Sequence, residues 1–170
     1  MDTKSGTPRP GTVRIVYHPD APASERQRWK AVVALIRKVC KEQEIGLGRV
    51  HLHYHPDGED TLPDTHPHGE AEYWGKTIFL CTADKDTALH EIAHVWTKSW
   101  HSPKWAEAYL YLCEQYMHQE EFIENIKRNS GKYAVVRHAL KRVYGIVIKG
   151  TSKEIRRGSA QQKADGRVRS

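Results

Sequence analysis

Residues 87–96 read TALHEIAHVW, directly after the apolar run KTIFLC and the polar link TADKD. This order, a strand-like run followed by an amphipathic helix, constrains the fold more than any other feature of the chain. An α-helix turns about 100° per residue, so with His90 at the origin His94 falls at about 40° and Glu91 at about 100°. On the same wheel Ala88, Leu89, Ile92, Ala93 and Trp96 fall between about 160° and 300°. One face is therefore apolar, and the opposite face carries His-Glu-His. The expected helix spans residues 84–99, with first-turn acids and an N-cap supplied by TADKD.

The remaining pattern places this helix in an α+β chain. TVRIVYH (12–18) and RVHLHYH (49–55) alternate like half-buried strands, and KTIFLC (76–81) reads as a third. Between the first two, Trp29, Val32, Val33, Ile36, Val39 and Cys40 recur at helical spacing. They predict a backing helix over 25–42, with Ser24 as N-cap and Gln27 closing a capping box. Residues 56–70, rich in Pro, Gly and Asp, read as a loop. Ser102-Pro103 opens another helix with a stripe of Trp105, Ala108, Tyr109, Leu112 and Tyr116. Asn129-Ser130-Gly131 reads as a break before a last helix over 132–143, with Gly145 beyond its end and IVI (146–148) as a short strand. The expected class is α+β: a small mixed β-sheet, a backing helix, the motif helix and C-terminal helices.

At 170 residues and 38% hydrophobic content, one domain with a real core is expected, spanning 12–148. Residues 1–11 read as a flexible segment, and 149–170 as a basic, disordered tail. No signal peptide or membrane span is read. Cys40, Cys81 and Cys113 are odd in number and form no C-x-x-C pair, which favours a reducing, cytoplasmic setting over a disulfide framework or thiolate site. The net charge of +6 is uneven: residues 127–170 carry 13 Lys/Arg against Glu154 and Asp165. A basic C-terminal region suits either a nucleic-acid contact or a solubilising tail.

Histidines at i and i+4 lie one turn apart, close enough to share one ion, and zinc accepts neutral imidazole. A zinc ion (Zn2+) with three protein ligands and room for water makes hydroxide available near neutral pH. Glu91, beside that water, suits a general base and acid rather than a ligand. The same string also suits a plain solvated His/Glu face, so the third ligand decides. On one straight helix the Cα of His101 would lie about 10.5 Å beyond that of His94, too far to share its ion. Ser102-Pro103 predicts that the helix ends between them, because the residue before proline avoids helical angles. His101 is then the first candidate, Glu107 the rival, and His66 or His68 a further option. The row His51, His53 and His55 on one strand is a separate metal candidate. Tyr109, His66 or His68 are candidates for stabilising an oxyanion.

HEIAH followed by His101-Ser102-Pro103-Lys104-Trp105 resembles the SprT/Spartan-like zincin metallopeptidases and their small phage and actinobacterial relatives. In these a third His opens an H-G-P-x-[FW]-like segment; Ser102 stands here in place of Gly. The resemblance covers residues 76–112. It implies a zincin-like sheet carrying helices, zinc held by His90, His94 and His101, and Glu91 as general base and acid. It also implies an edge strand over 77–81 along which a peptide or protein substrate pairs by strand addition. The minigluzincins are competing relatives. Pro103-Lys104-Trp105-Ala106-Glu107 resembles their P-x-W followed by a ligand Glu, which here comes one residue early. The expected function is a zinc-dependent peptidase; the alternative is a nucleic-acid-binding protein with a structural or inactive zincin domain.

Overall fold

The computed structural model describes residues 12–54, 69–72 and 74–147. The expected flexible segment 1–11, the tail 149–170, Ile148, His55, His66 and His68 lie outside the described residues. Among the described residues the chain is α+β. Its elements run β1 (Arg14–Tyr17), α1 (Ala23–Glu42), β2 (Arg49–Leu52), β3 (Gly69–Glu72), β4 (Thr77–Leu80), α2 (Lys85–Thr97), α3 (Pro103–Tyr116), α4 (Gln119–Lys132) and α5 (Ala134–Tyr144).

The strands form one mixed sheet in the order β1-β2-β4-β3. β1, β2 and β4 are parallel, and β3 pairs antiparallel with β4, Ala71 opposite Ile78. Val50, Leu52, Ile78 and Leu80 point from one face into the core, where α1 contributes Trp29, Val32, Val33, Ile36, Val39 and Cys40. Full burial of one such aliphatic side chain contributes about 1.5–3 kcal/mol. α2 packs on β3 and β4, and α3 packs on α2 and α5. The motif helix thus sits between the sheet and a C-terminal layer of helices. Its apolar residues Ala88, Leu89, Ile92 and Ala93 are fully buried, while Trp96, placed in the same stripe by spacing, is exposed. No described helix is long and apolar enough to cross a membrane. All three cysteines are buried.

Four expectations are corrected. Residues 77–81 are not an edge strand: β4 lies between β2 and β3, and the edge beside α2 is β3. Gly69-Glu70-Ala71-Glu72 carries no β-branched or aromatic residue and buries only Ala71, so its strand character comes from pairing with β4 rather than from propensity. The helix over 25–42 starts earlier, with Pro22 at the N-cap, no side-chain cap, and Ser24 inside the first turn. Asn129-Ser130-Gly131 does not break a helix; the breaks fall at 117–118 and at Tyr133. Asn129 turns inward to hydrogen-bond partners, and Ser130 Oγ donates to the Lys127 carbonyl, so both side chains are satisfied within the helix. Ile146 and Val147 lie in no strand; Gly145, left-handed at φ 65°, ends α5 as expected.

Candidate metal centre

α2 begins where Asp84 accepts a hydrogen bond from the Thr87 backbone N–H, and it ends at Lys98. Lys98 takes the left-handed conformation, φ 52° and ψ 39°, a role glycine usually fills. Past it the chain reverses over Ser99–Ser102, and the Ser102 hydroxyl caps α3 by accepting from Trp105 N–H. Ser99 Oγ bonds both Thr97 Oγ1 (3.0 Å) and Ser102 Oγ (2.8 Å), tying the two helix ends together. This turn carries His101 back over α2.

As a result three imidazoles converge. His90 Nε2 stands 3.2 Å from His94 Nε2 and 3.0 Å from His101 Nε2, and the ligand atoms of all three lie within 4.8 Å of one another. Among the described residues this is the one group of three such side chains placed to hold a metal ion. His94 Nδ1 donates to the Ser99 carbonyl at 2.7 Å, which fixes its tautomer and leaves the Nε2 lone pair facing the centre. Burial lowers all three pKa values: His90 to about 2 and His101 to about 4, with mutual repulsion and the Lys132 charge adding to both, and His94 against the opposing bond to Ser99. The rings are therefore neutral at pH 7, the form a metal requires. One hydrogen on His90 Nε2 can be shared at best between its two neighbours, which leaves a poorly satisfied cluster. A cation at the centre satisfies all three lone pairs.

Aromatic rings brace the imidazoles. Trp105 stacks on His94 (5.1 Å, 18°) and meets His90 and His101 edge-on, while its Nε1–H donates to the His90 carbonyl. Trp100 stacks on the other side of His94, and Tyr133 lies 4.6 Å from His101. The triad opens into a cleft of about 420 Å³, whose walls include Gly69 and Glu70 of β3, Glu91 of α2, and Arg128, Lys132 and Tyr133.

Glu91 lines this cleft, is 6% exposed, and makes no hydrogen bond or ion pair among the described residues. Burial, reinforced by Glu70 and opposed by Lys132, raises its carboxyl to about 8. Gly69 is packed against it: a Cβ there would stand 2.9 Å from Thr87 Cγ2 and 3.2 Å from Glu91 Oε1. A glycine is what lets β3 lie directly over this carboxylate.

The other candidates fall elsewhere. Glu107 forms an ion pair with Arg142 on α5, away from the triad. His51 stacks on Phe79 across the sheet at 5.0 Å, and His53 packs on the same ring; with His55 outside the described residues, that row gathers no metal group. Tyr109 is fully buried, its hydroxyl donating to Asp86 and accepting from Asn125 and Asn129, so the phenol lining the cleft is Tyr133 instead. Sequence reasoning missed Gly69, Glu70, Trp100, Lys132 and Tyr133. One signal was present: Asn125, Arg128, Asn129 and Lys132 follow i, i+3, i+4, i+7 spacing and form a polar stripe on one face of α4.

Compared with family models, with curated proteins and with solved structures, the chain matches none.

Proposed function

We propose that this chain is a zinc-dependent peptidase of the zincin kind, similar to the SprT/Spartan-like enzymes, with His90, His94 and His101 as the zinc ligands. The observation that carries this reading is the convergence of three neutral Nε2 atoms in a cleft also lined by Glu91, a buried carboxyl with no hydrogen bond or ion pair among the described residues. Bound zinc supplies a Lewis acid and brings a water's pKa to about 7.

The chain's own residues supply the rest. Glu91 takes the proton from the attacking water and delivers it to the leaving amine. Burial alone keeps its carboxyl protonated near neutral pH; a cation bound beside it would favour the ionised form that the transfer needs. Ser99 holds the His94 ring by its hydrogen bond, and Trp105 packs edge-on against the His90 ring. The outer edge of β3 has no strand beyond it among the described residues, and it borders the cleft. An extended peptide adds to that edge, bringing its carbonyl over the triad.

The test is metal analysis with peptide hydrolysis. The protein is expected to hold one equivalent of zinc and to cleave a denatured protein substrate. Glu91→Gln should retain the zinc and lose turnover by at least about a hundredfold. Undiminished turnover in that variant, or no zinc in the parent, overturns the reading.

A second reading, nucleic-acid binding, is favoured by the exposed Arg137 and Lys141 on α5, which lead toward the basic residues 148–170. Phosphate contacts there make affinity fall steeply with salt. A salt titration of DNA binding, with and without residues 150–170, tests it independently of zinc.

A further inference from the structure

Arg128, Asn129 and Lys132 of the polar stripe on α4 line the cleft, and every member of the stripe but Lys132 is occupied. Arg128 pairs with Asp86 at 2.7 Å and bonds Asn125 Oδ1; Asn125 and Asn129 each donate to the Tyr109 hydroxyl at 2.8 Å. Lys132, the last member, is placed differently. It lies exposed on the final turn of α4, lines the cleft with Tyr133 and His101, and holds its ammonium 5.1 Å from the Tyr133 ring centroid. It makes no ion pair among the described residues.

Its ammonium shares the cleft wall with His90, His101 and Glu91. A lysine beside a site for a divalent cation is a like-charge arrangement, and Lys132 forms no ion pair with Glu70 or Glu91, the acids that line the same cleft. Arg128 is already matched by Asp86, and Asp84 is used at the α2 N-cap. An anion entering the cleft on the α4 side offsets the charge, and Lys suits a carboxylate because its three donors swing on a flexible stem.

We propose that Lys132 anchors a substrate carboxylate, so that the cleft prefers peptides with a negative charge close to the bond at the triad. The carboxylate is either a free C-terminus or the side chain of Asp or Glu. This inference rests on the peptidase reading and narrows its substrate class.

The probes are three peptide hydroxamates, ending in alanine with a free carboxylate, in alanine amide and in aspartate amide. Their affinities are measured by calorimetry on the zinc-loaded full chain and on Lys132→Met and Lys132→Glu. The parent should bind at least one acidic probe about fivefold tighter than the neutral amide, the scale of a partly exposed ion pair. Which acidic probe gains identifies the source of the carboxylate. Lys132→Met should bring the probes to within about twofold of one another, and Lys132→Glu should reverse the order. Equal affinities in the parent, or an acidic preference that survives Lys132→Met, overturn the inference and leave the zinc centre standing, because the hydroxamates still bind. Failure of every probe to bind the zinc-loaded chain overturns both.

Discussion

α2 carries two polar clusters, one at each end, and they are built on opposite principles. Near its N-terminus Asp86 accepts from Tyr109, Arg128 and Asn129, and Tyr109 in turn accepts from Asn125 and Asn129. Donors meet acceptors, and the network is closed. One and two turns further on, His90, His94 and His101 aim like atoms at one another. Closed networks rigidify a core, whereas convergent acceptors call for a cation. The difference separates structure from chemistry on a single helix.

Exchanging the two clusters by mutation should give opposite results. His94→Ala is expected to weaken zinc binding by more than about a hundredfold, exceeding the loss typical of an outer-shell change, at modest cost to the metal-free fold. Asp86→Ala should leave zinc stoichiometry intact and cost about 2–4 kcal/mol in urea unfolding, because buried hydrogen-bonding groups lose their shared acceptor. Equal zinc loss in both variants would erase the distinction between the clusters.

The titration of the metal-free protein sharpens it further. Between pH 6.5 and 8 folded Glu91 keeps a proton that the unfolded chain has released, so stability falls as pH rises through that window. Below pH 6.5 the unfolded histidines take up protons that the folded triad refuses, so stability falls again as pH drops toward 4. Glu91→Gln should flatten the alkaline limb and keep the acidic one, as read from urea midpoints across pH.

Smaller effects come from the backbone that frames the site. Gly69→Ala should lower kcat about tenfold with zinc content unchanged, since the new methyl displaces Thr87 and the Glu91 carboxylate. Assay of zinc and kcat on the same preparation separates this from unfolding. Lys98→Gly should raise stability by about 0.5 kcal/mol, by relieving the left-handed residue that turns the chain toward His101. A loss of zinc in that variant would mean the turn depends on more than its backbone angle.

What sequence spacing conveyed was local. The i, i+4 histidines, the helix end ahead of Pro103 and the strands before α2 follow from helix pitch, proline sterics and alternation, each acting within a few residues. The wall over the site was another matter. β3 has weak strand propensity and exists because β4 offers it an edge. Asn129 and Ser130 stay helical because partners up to 43 residues away satisfy Asn129. The His-Glu-His face also suits a solvated surface until α3 and β3 cover it, leaving His94 at 2% exposure.

The chain's own order of residues therefore determined that three imidazoles and a carboxylate lie within one turn and one reversal of each other. Which elements enclose them, and that Gly69 and Lys132 line the same cleft, was decided by tertiary packing. Contacts across the cleft join segments far apart in the chain, and no short-range periodicity encodes which of them meet.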